Sequence, residues 1–328
     1  MLRLFRTNQL LFSFLLLFYV GLLHIGAFVA PADWQPTGHG VLSTWLYTFL
    51  EPTGVAARVA AIVLLFGQAI GVNVLVADHR LAESVTLLPG VFYILIASLL
   101  PEFLHLSPLH LANTFYLIAL FELFRVYKKP DCAAAIFNVG FWLAVGSLFY
   151  PSYLLMIAFG LSVLNILRAY KIREWLMLLT GAVTPFLLLG VYFFWNDQLD
   201  VFWQTQFVTN FAMLDFVPYD DYLVYFQMAF FDLFLLIVIF SYGLYVFKKV
   251  MQVQKKISGL YWGLFFGGLT LFLQASLQLD HLLVLALPLG ILISFNFQSI
   301  AERWAETLHL LILAVVLFFQ YQGWVLPV

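Results

Sequence analysis

The residues able to do chemistry in this chain are ionisable groups set in long apolar surroundings, where charge is expensive and marks function by default. Arg58 leads them. Its guanidinium matches the geometry of a phosphate or a carboxylate, and Asp33 and Glu51 precede it. Arg58 can equally snorkel to an interface and pair with Glu51. Asp33 follows the first apolar run closely and can act as a general base, or sit in water as an ordinary loop acid.

A second group gathers Glu102, His105 and His110 with Asp280-His281. These side chains are ligand types for a divalent cation. Glu102-x-x-His105 would share one face of a helix, but Pro101 and Pro108 bracket it and favour a turn. The spacing matches no recognised ligand motif, so no metal is assigned. Asp280-His281 opens an apolar segment interrupted by Pro288. Such a pair can line a cavity beside freed backbone groups, or anchor a helix start with Asp at the positive dipole end. Asp232 lies well inside another apolar run and needs a partner or water. Glu122 can pair with Arg125. There is no phosphate-binding glycine loop and no Gly-x-Ser-x-Gly, so nothing suggests ATP hydrolysis or a serine hydrolase. The sequence names no cofactor.

The elements that must position these residues follow from composition. The 328 residues are 64% hydrophobic and 10% charged, against about 45–50% and about 25% in soluble domains. Lipid must cover such a chain. A net charge of −2 gives no reason to expect nucleic acid. Cys132 is the only cysteine and can form no internal disulfide. Arg3 and Arg6 precede an apolar run longer than the roughly 7–15 residues of a signal peptide. The reading is a retained first helix with a cytoplasmic N-terminus.

The expected fold is all-α, a polytopic transmembrane bundle forming one domain over residues 1–328. About eleven spans are expected, at 10–30, 55–77, 85–100, 109–124, two within 133–167, then 175–195, 223–247, 260–277, 281–297 and 307–326. The apolar stretch 133–167 is divided at Pro151, which removes a helix hydrogen bond. This threading puts fourteen of the fifteen Lys and Arg on one side, all but Arg58, as the positive-inside rule requires of cytoplasmic loops. Missing one span would scramble that pattern. Most acids and five of the seven His (24, 39, 105, 110 and 281) fall on the outer side. In the first outer loop, the run 41–50 after Gly38-His39-Gly40 reads as a short interfacial helix. The second outer loop is 196–222. The basic clusters 168–173 and 248–256 are topological determinants or bind anionic headgroups. No internal repeat supports an inverted-repeat transporter.

Three segments resemble a family of uncharacterised bacterial multi-pass membrane proteins: 113–121 (NTFYLIALF), 146–152 (GSLFYPS) and Arg173-Glu174-Trp175 with 180–186 (TGAVTPF). Some members carry a carotene-monooxygenase label, which the scattered His here do not support. More distantly, the layout resembles the C-type glycosyltransferase superfamily. That resemblance implies a catalytic carboxylate in the first outer loop, at the position of Asp33, and a lipid-linked donor. The expectation is a transferase in a bacterial inner membrane, acting at the outer face on a sugar or similar group carried by polyprenyl phosphate. Asp33 would be its base. Arg58 would hold phosphate, Glu51 would join it in binding the substrate, and His105, His110, Asp280 and His281 would line the cavity. The alternative is a non-enzymatic scaffold or lipid-binding subunit with envelope protein partners.

Overall fold

The computed structural model describes residues 2–6, 10–29, 34, 36, 38–210, 222–273 and 278–325. Among them all regular structure is helical, with no strand. In chain order the helices are α1 (Leu2–Phe5), α2 (Leu10–Val29), α3 (Val41–Phe49), α4 (Val55–Asp78), α5 (Leu88–Ala97), α6 (Pro108–Arg125), α7 (Ala133–Phe149), α8 (Leu155–Leu167), α9 (Ile172–Trp195), α10 (Leu199–Trp203), α11 (Tyr222–Phe240), α12 (Tyr242–Val246), α13 (Met251–Leu271), α14 (Ala286–Ser299) and α15 (Glu302–Val325). Five segments are long and apolar enough to cross a membrane: α4, α9, α11, Leu279–Ser299 with α14, and α15. The chain is that of a helical membrane protein.

Each segment expected to span contains helix, and the departures have local causes. The 85–100 run yields only the ten residues of α5, about 15 Å long at 1.5 Å per residue. Pro89 sits at its start and Pro101 follows its Ser98 cap. Every residue of α5 is buried, as are residues 286–294 of α14, its main neighbour. A short helix is tolerated at depth when protein, not lipid, surrounds its ends. A Cβ at Gly290 of α14 would fall on the Tyr93 backbone of α5. The Pro151 division holds: a 3-10 turn at Pro151–Leu154 joins α7 to α8. The charged stretch 251–259, expected as a loop, is the first two turns of α13. Its Lys256 is buried, reaching His79 Nδ1 at 3.0 Å and lying over the Phe124 ring.

Small residues set the closest approaches. Gly140 of α7 faces the Leu178 carbonyl and Gly181 of α9 faces the Phe137 carbonyl, so these two helices meet backbone to backbone. Close packing of this kind is what drives helix association in lipid. Along α13, Gly259, Gly263 and Gly267 present one face to Val163, Tyr116 and Leu285 in turn.

Turns assigned to the same side of the threading share contacts. Lys249 pairs with Glu83 at 3.5 Å, and Arg168 pairs with Glu174 and donates to the Val126 carbonyl at 2.9 Å. Arg6 donates to the carbonyls of Phe297 and Ile300 at 3.1 and 3.2 Å. At the other end, Gly40 N donates to the Phe149 carbonyl at 2.8 Å, and Ser152 Oγ to Leu273 at 3.1 Å.

Candidate functional site

Helix α3 is built and held by its surroundings. Gly40 begins it, and the Gln206 side chain straddles its start, accepting from Val41 N at 3.3 Å and donating to the Ser147 carbonyl at 2.8 Å. Gln206 belongs to a π-helical turn, Gln204–Val208, a geometry often found at functional sites. The two faces of α3 differ. Ser43, Leu46 and Tyr47 point one way: Ser43 Oγ donates to the Phe149 carbonyl at 2.9 Å, and Tyr47 Oη to Leu106 at 2.8 Å. Val41, Thr44, Trp45 and Thr48 point the other way. There they wall an apolar cavity of about 500 Å³ with Leu189 and Phe193 of α9.

Ionisable residues gather on the Tyr47 side. The 3-10 turn Pro101–Leu104 touches the 3-10 turn Leu279–Leu285 that precedes α14. This contact carries Glu102 close enough to Asp280 for their charges to interact, and burial with the Asp280 charge raises the Glu102 pKa. Burial also raises the Tyr47 phenol, with Asp280 adding to the effect. The His105 ring stacks on Trp34, centroids 5.0 Å apart and planes 4° apart. Burial and then the Arg58 cation lower its pKa to about 4. His110 lies on the first turn of α6, whose Ser107 cap is 3.3 Å from its Nδ1. His24 of α2 donates Nδ1–H to the Val20 carbonyl at 3.0 Å. His24 and His105 both lie within electrostatic range of His110.

The group is poorly satisfied from within the protein. Glu102 Oε2, His105 Nδ1, His110 Nε2, His24 Nε2 and Arg58 Nε are buried without a hydrogen-bond partner among the described residues. Buried polar atoms are normally paired, so such a concentration marks a place for water or ligand. Among the described residues no three His, Cys, Asp or Glu converge as metal ligands. A carboxyl with a raised pKa, an imidazole with a lowered one and a guanidinium within electrostatic range of that imidazole are groups able to donate a proton, accept one and hold an anion.

Not every expected residue joins this arrangement in the expected way. Arg58 Nη2 donates to the Thr53 carbonyl at 2.7 Å, and no Arg58–Glu51 ion pair forms among the described residues. Glu51 is exposed and closes a turn through its own carbonyl, accepting from Gly54 N at 2.9 Å. The turn carbonyl replaces the carboxylate because it lies five residues back, within reach of a helix-end Arg. His281 is buried, with Nδ1 2.9 Å from Tyr150 Oη and 3.8 Å from Asp280 Oδ1. Asp33 lies outside the described residues. Sequence reasoning gave no role to His24, Tyr47 or Tyr150. A His within the apolar run of α2 was the one available signal.

Comparison with protein-family models, curated proteins and solved structures found no match to this chain.

Proposed function

We propose that this chain is a multi-pass protein of the bacterial inner membrane that transfers a sugar or similar group from a polyprenyl-phosphate donor at the outer face. The single observation that carries the reading is the two-sidedness of α3. One face carries Tyr47, which bonds the Leu106 carbonyl next to His105 and lies within electrostatic range of Asp280, and the other walls an apolar cavity. A lipid-linked donor needs both: hydrocarbon space for the chain, and charged groups for the phosphate and the transferred group. Arg58 would hold phosphate beside His105. Glu102, whose pKa burial raises, would supply a proton to the leaving group. Asp33 would be the base that activates the acceptor, with His110, Asp280 and His281 lining the cavity.

The eleven-span topology with a cytoplasmic N-terminus is part of this reading. Its support is the sharing of contacts among Arg6, His79, Glu83, Arg168, Lys249 and Lys256 and their neighbours, as a single basic face would require. The test is binding of undecaprenyl phosphate by detergent-purified protein, read by tryptophan fluorescence. Saturable binding weakened about tenfold by Arg58→Ala supports the proposal. No saturable binding, or binding indifferent to Arg58, sinks it. A non-enzymatic subunit of an envelope complex is the second reading, favoured by one observation: the outward position of Asp232.

A further inference from the structure

Asp232 stands near the middle of α11, a mostly apolar helix whose Gln227 is buried on the inner side. Phe231, Phe234 and Val238 turn inward and are buried. Asp232 shares the opposite face with Tyr225, Leu236 and Ile239, all exposed. No described residue makes an ion pair with its carboxylate. At one end of α11 lies Tyr222 and at the other Phe240, each roughly 12–15 Å away at 1.5 Å rise per residue. Aspartate is too short to reach a lipid headgroup over that distance, unlike Lys or Arg, which snorkel on long stems.

A carboxylate at membrane depth ordinarily faces the bundle interior or pairs with another group. Here the interior is ruled out by the helix's own packing. We propose that the Asp232 face of α11 docks a transmembrane helix of a partner protein carrying Lys or Arg at matching depth. Charge complementarity selects this occupant. A second copy of the chain offers no such cation, because its fifteen Lys and Arg all lie in turns or within two turns of a helix end, and α11 has none. Lipid tails offer no donor at all. The inference goes beyond the transferase reading and does not depend on it.

The test reconstitutes the full chain in phosphatidylcholine vesicles with a synthetic polyleucine transmembrane helix bearing one central Lys, and reads association by energy transfer. The Lys helix is expected to bind at least about tenfold more tightly than the all-Leu helix. Asp232→Leu should abolish that preference, and Asp232→Glu should keep it. Leucine suits an apolar helix, and Asp232→Asn provides a second uncharged variant should Asp232→Leu not elute as folded protein. Equal binding of the two helices, or a preference that survives both uncharged variants, overturns the proposal. Self-association of wild-type protein without peptide, lost in Asp232→Leu, also overturns it by giving the face to a second copy. Undecaprenyl phosphate binding is measured separately, so either proposal can fail alone.

Discussion

Tyr150 Oη and His281 Nδ1 lie 2.9 Å apart, both residues buried, across 131 positions of sequence. The contact ties the bend after α7 to the 3-10 turn that leads into α14. It therefore fixes the turn carrying Asp280 against the bend where Pro151 breaks a long apolar run. Replacing Tyr150 with Phe removes that partner from a buried ring nitrogen. The expected cost is about 1–3 kcal/mol, read as a lowered melting temperature in detergent with the helical signal unchanged.

The α7–α9 contact gives a sharper packing test. A side chain at Gly140 or Gly181 would fall on a facing backbone carbonyl, which cannot rotate away. Gly140→Val and Gly181→Val should each cost about 1–3 kcal/mol or more through overpacking. Gly190, on the same α9, has open space where a Cβ would go. Gly190→Ala should instead stabilise by about 0.5–1 kcal/mol, since Gly is the more costly residue in a helix. Stabilisation at Gly140 and Gly181 of the kind expected at Gly190 would refute the backbone contact.

Gln206 holds the start of α3 through two hydrogen bonds. Gln206→Leu should release that helix without unfolding the bundle. Amide exchange over residues 41–49 should then quicken by on the order of tenfold, the equivalent of about 1.4 kcal/mol. Unchanged exchange would mean that the hydrogen bonds of Ser43 and Tyr47 and the packing of Val41 and Leu46 suffice to retain α3.

The pH dependence of stability carries two opposed contributions. His105 titrates at about 4 when folded and at about 6.5 when unfolded. Between those values the unfolded chain binds the extra proton, so this contribution rises with pH from 4 to 6.5 and is complete above. At pH 5 protonation in the unfolded state costs the fold about 2 kcal/mol. His105→Gln should remove that acid-side slope. Glu102 acts in the other direction. Its folded pKa is raised, so its contribution is complete below the ordinary carboxylate value and is lost as pH rises above it. Glu102→Gln should accordingly stabilise the protein at pH 7–8. Melting temperatures measured across pH 4–8 in one detergent separate the two.

The sequence made some of this legible. Pro151 marked the bend between α7 and α8, and Gly38-His39-Gly40 marked the start of α3. The basic residues grouped the turns that prove to touch one another. Other features were hidden for physical reasons. Hydropathy reports that the run around α5 is greasy, but not whether lipid or protein surrounds it, so the shortness and full burial of this ten-residue helix were not legible. The Lys255-Lys256 pair looked like loop, yet Lys256 is buried because Phe124 and His79 receive its ammonium. Glu51 looked like the partner of Arg58, but a backbone carbonyl in the intervening turn is better placed. The meeting of Glu102 with Asp280, and of Tyr150 with His281, depends on which turns end up adjacent. No local pattern encodes that.

The enclosure of α5 constrains how the chain is made. Its covering partner α14 comes roughly two hundred residues later, and Ser98 beyond its end receives a hydrogen bond from Gln320, 222 positions on. At about 5–20 residues per second, the ribosome needs on the order of ten to forty seconds to supply them. During that interval α5 stands ready but half-wrapped. Residues 286–320 thus act as a late clasp: a chain cut short before them would leave its central helix uncovered and invite capture by chaperones or membrane proteases.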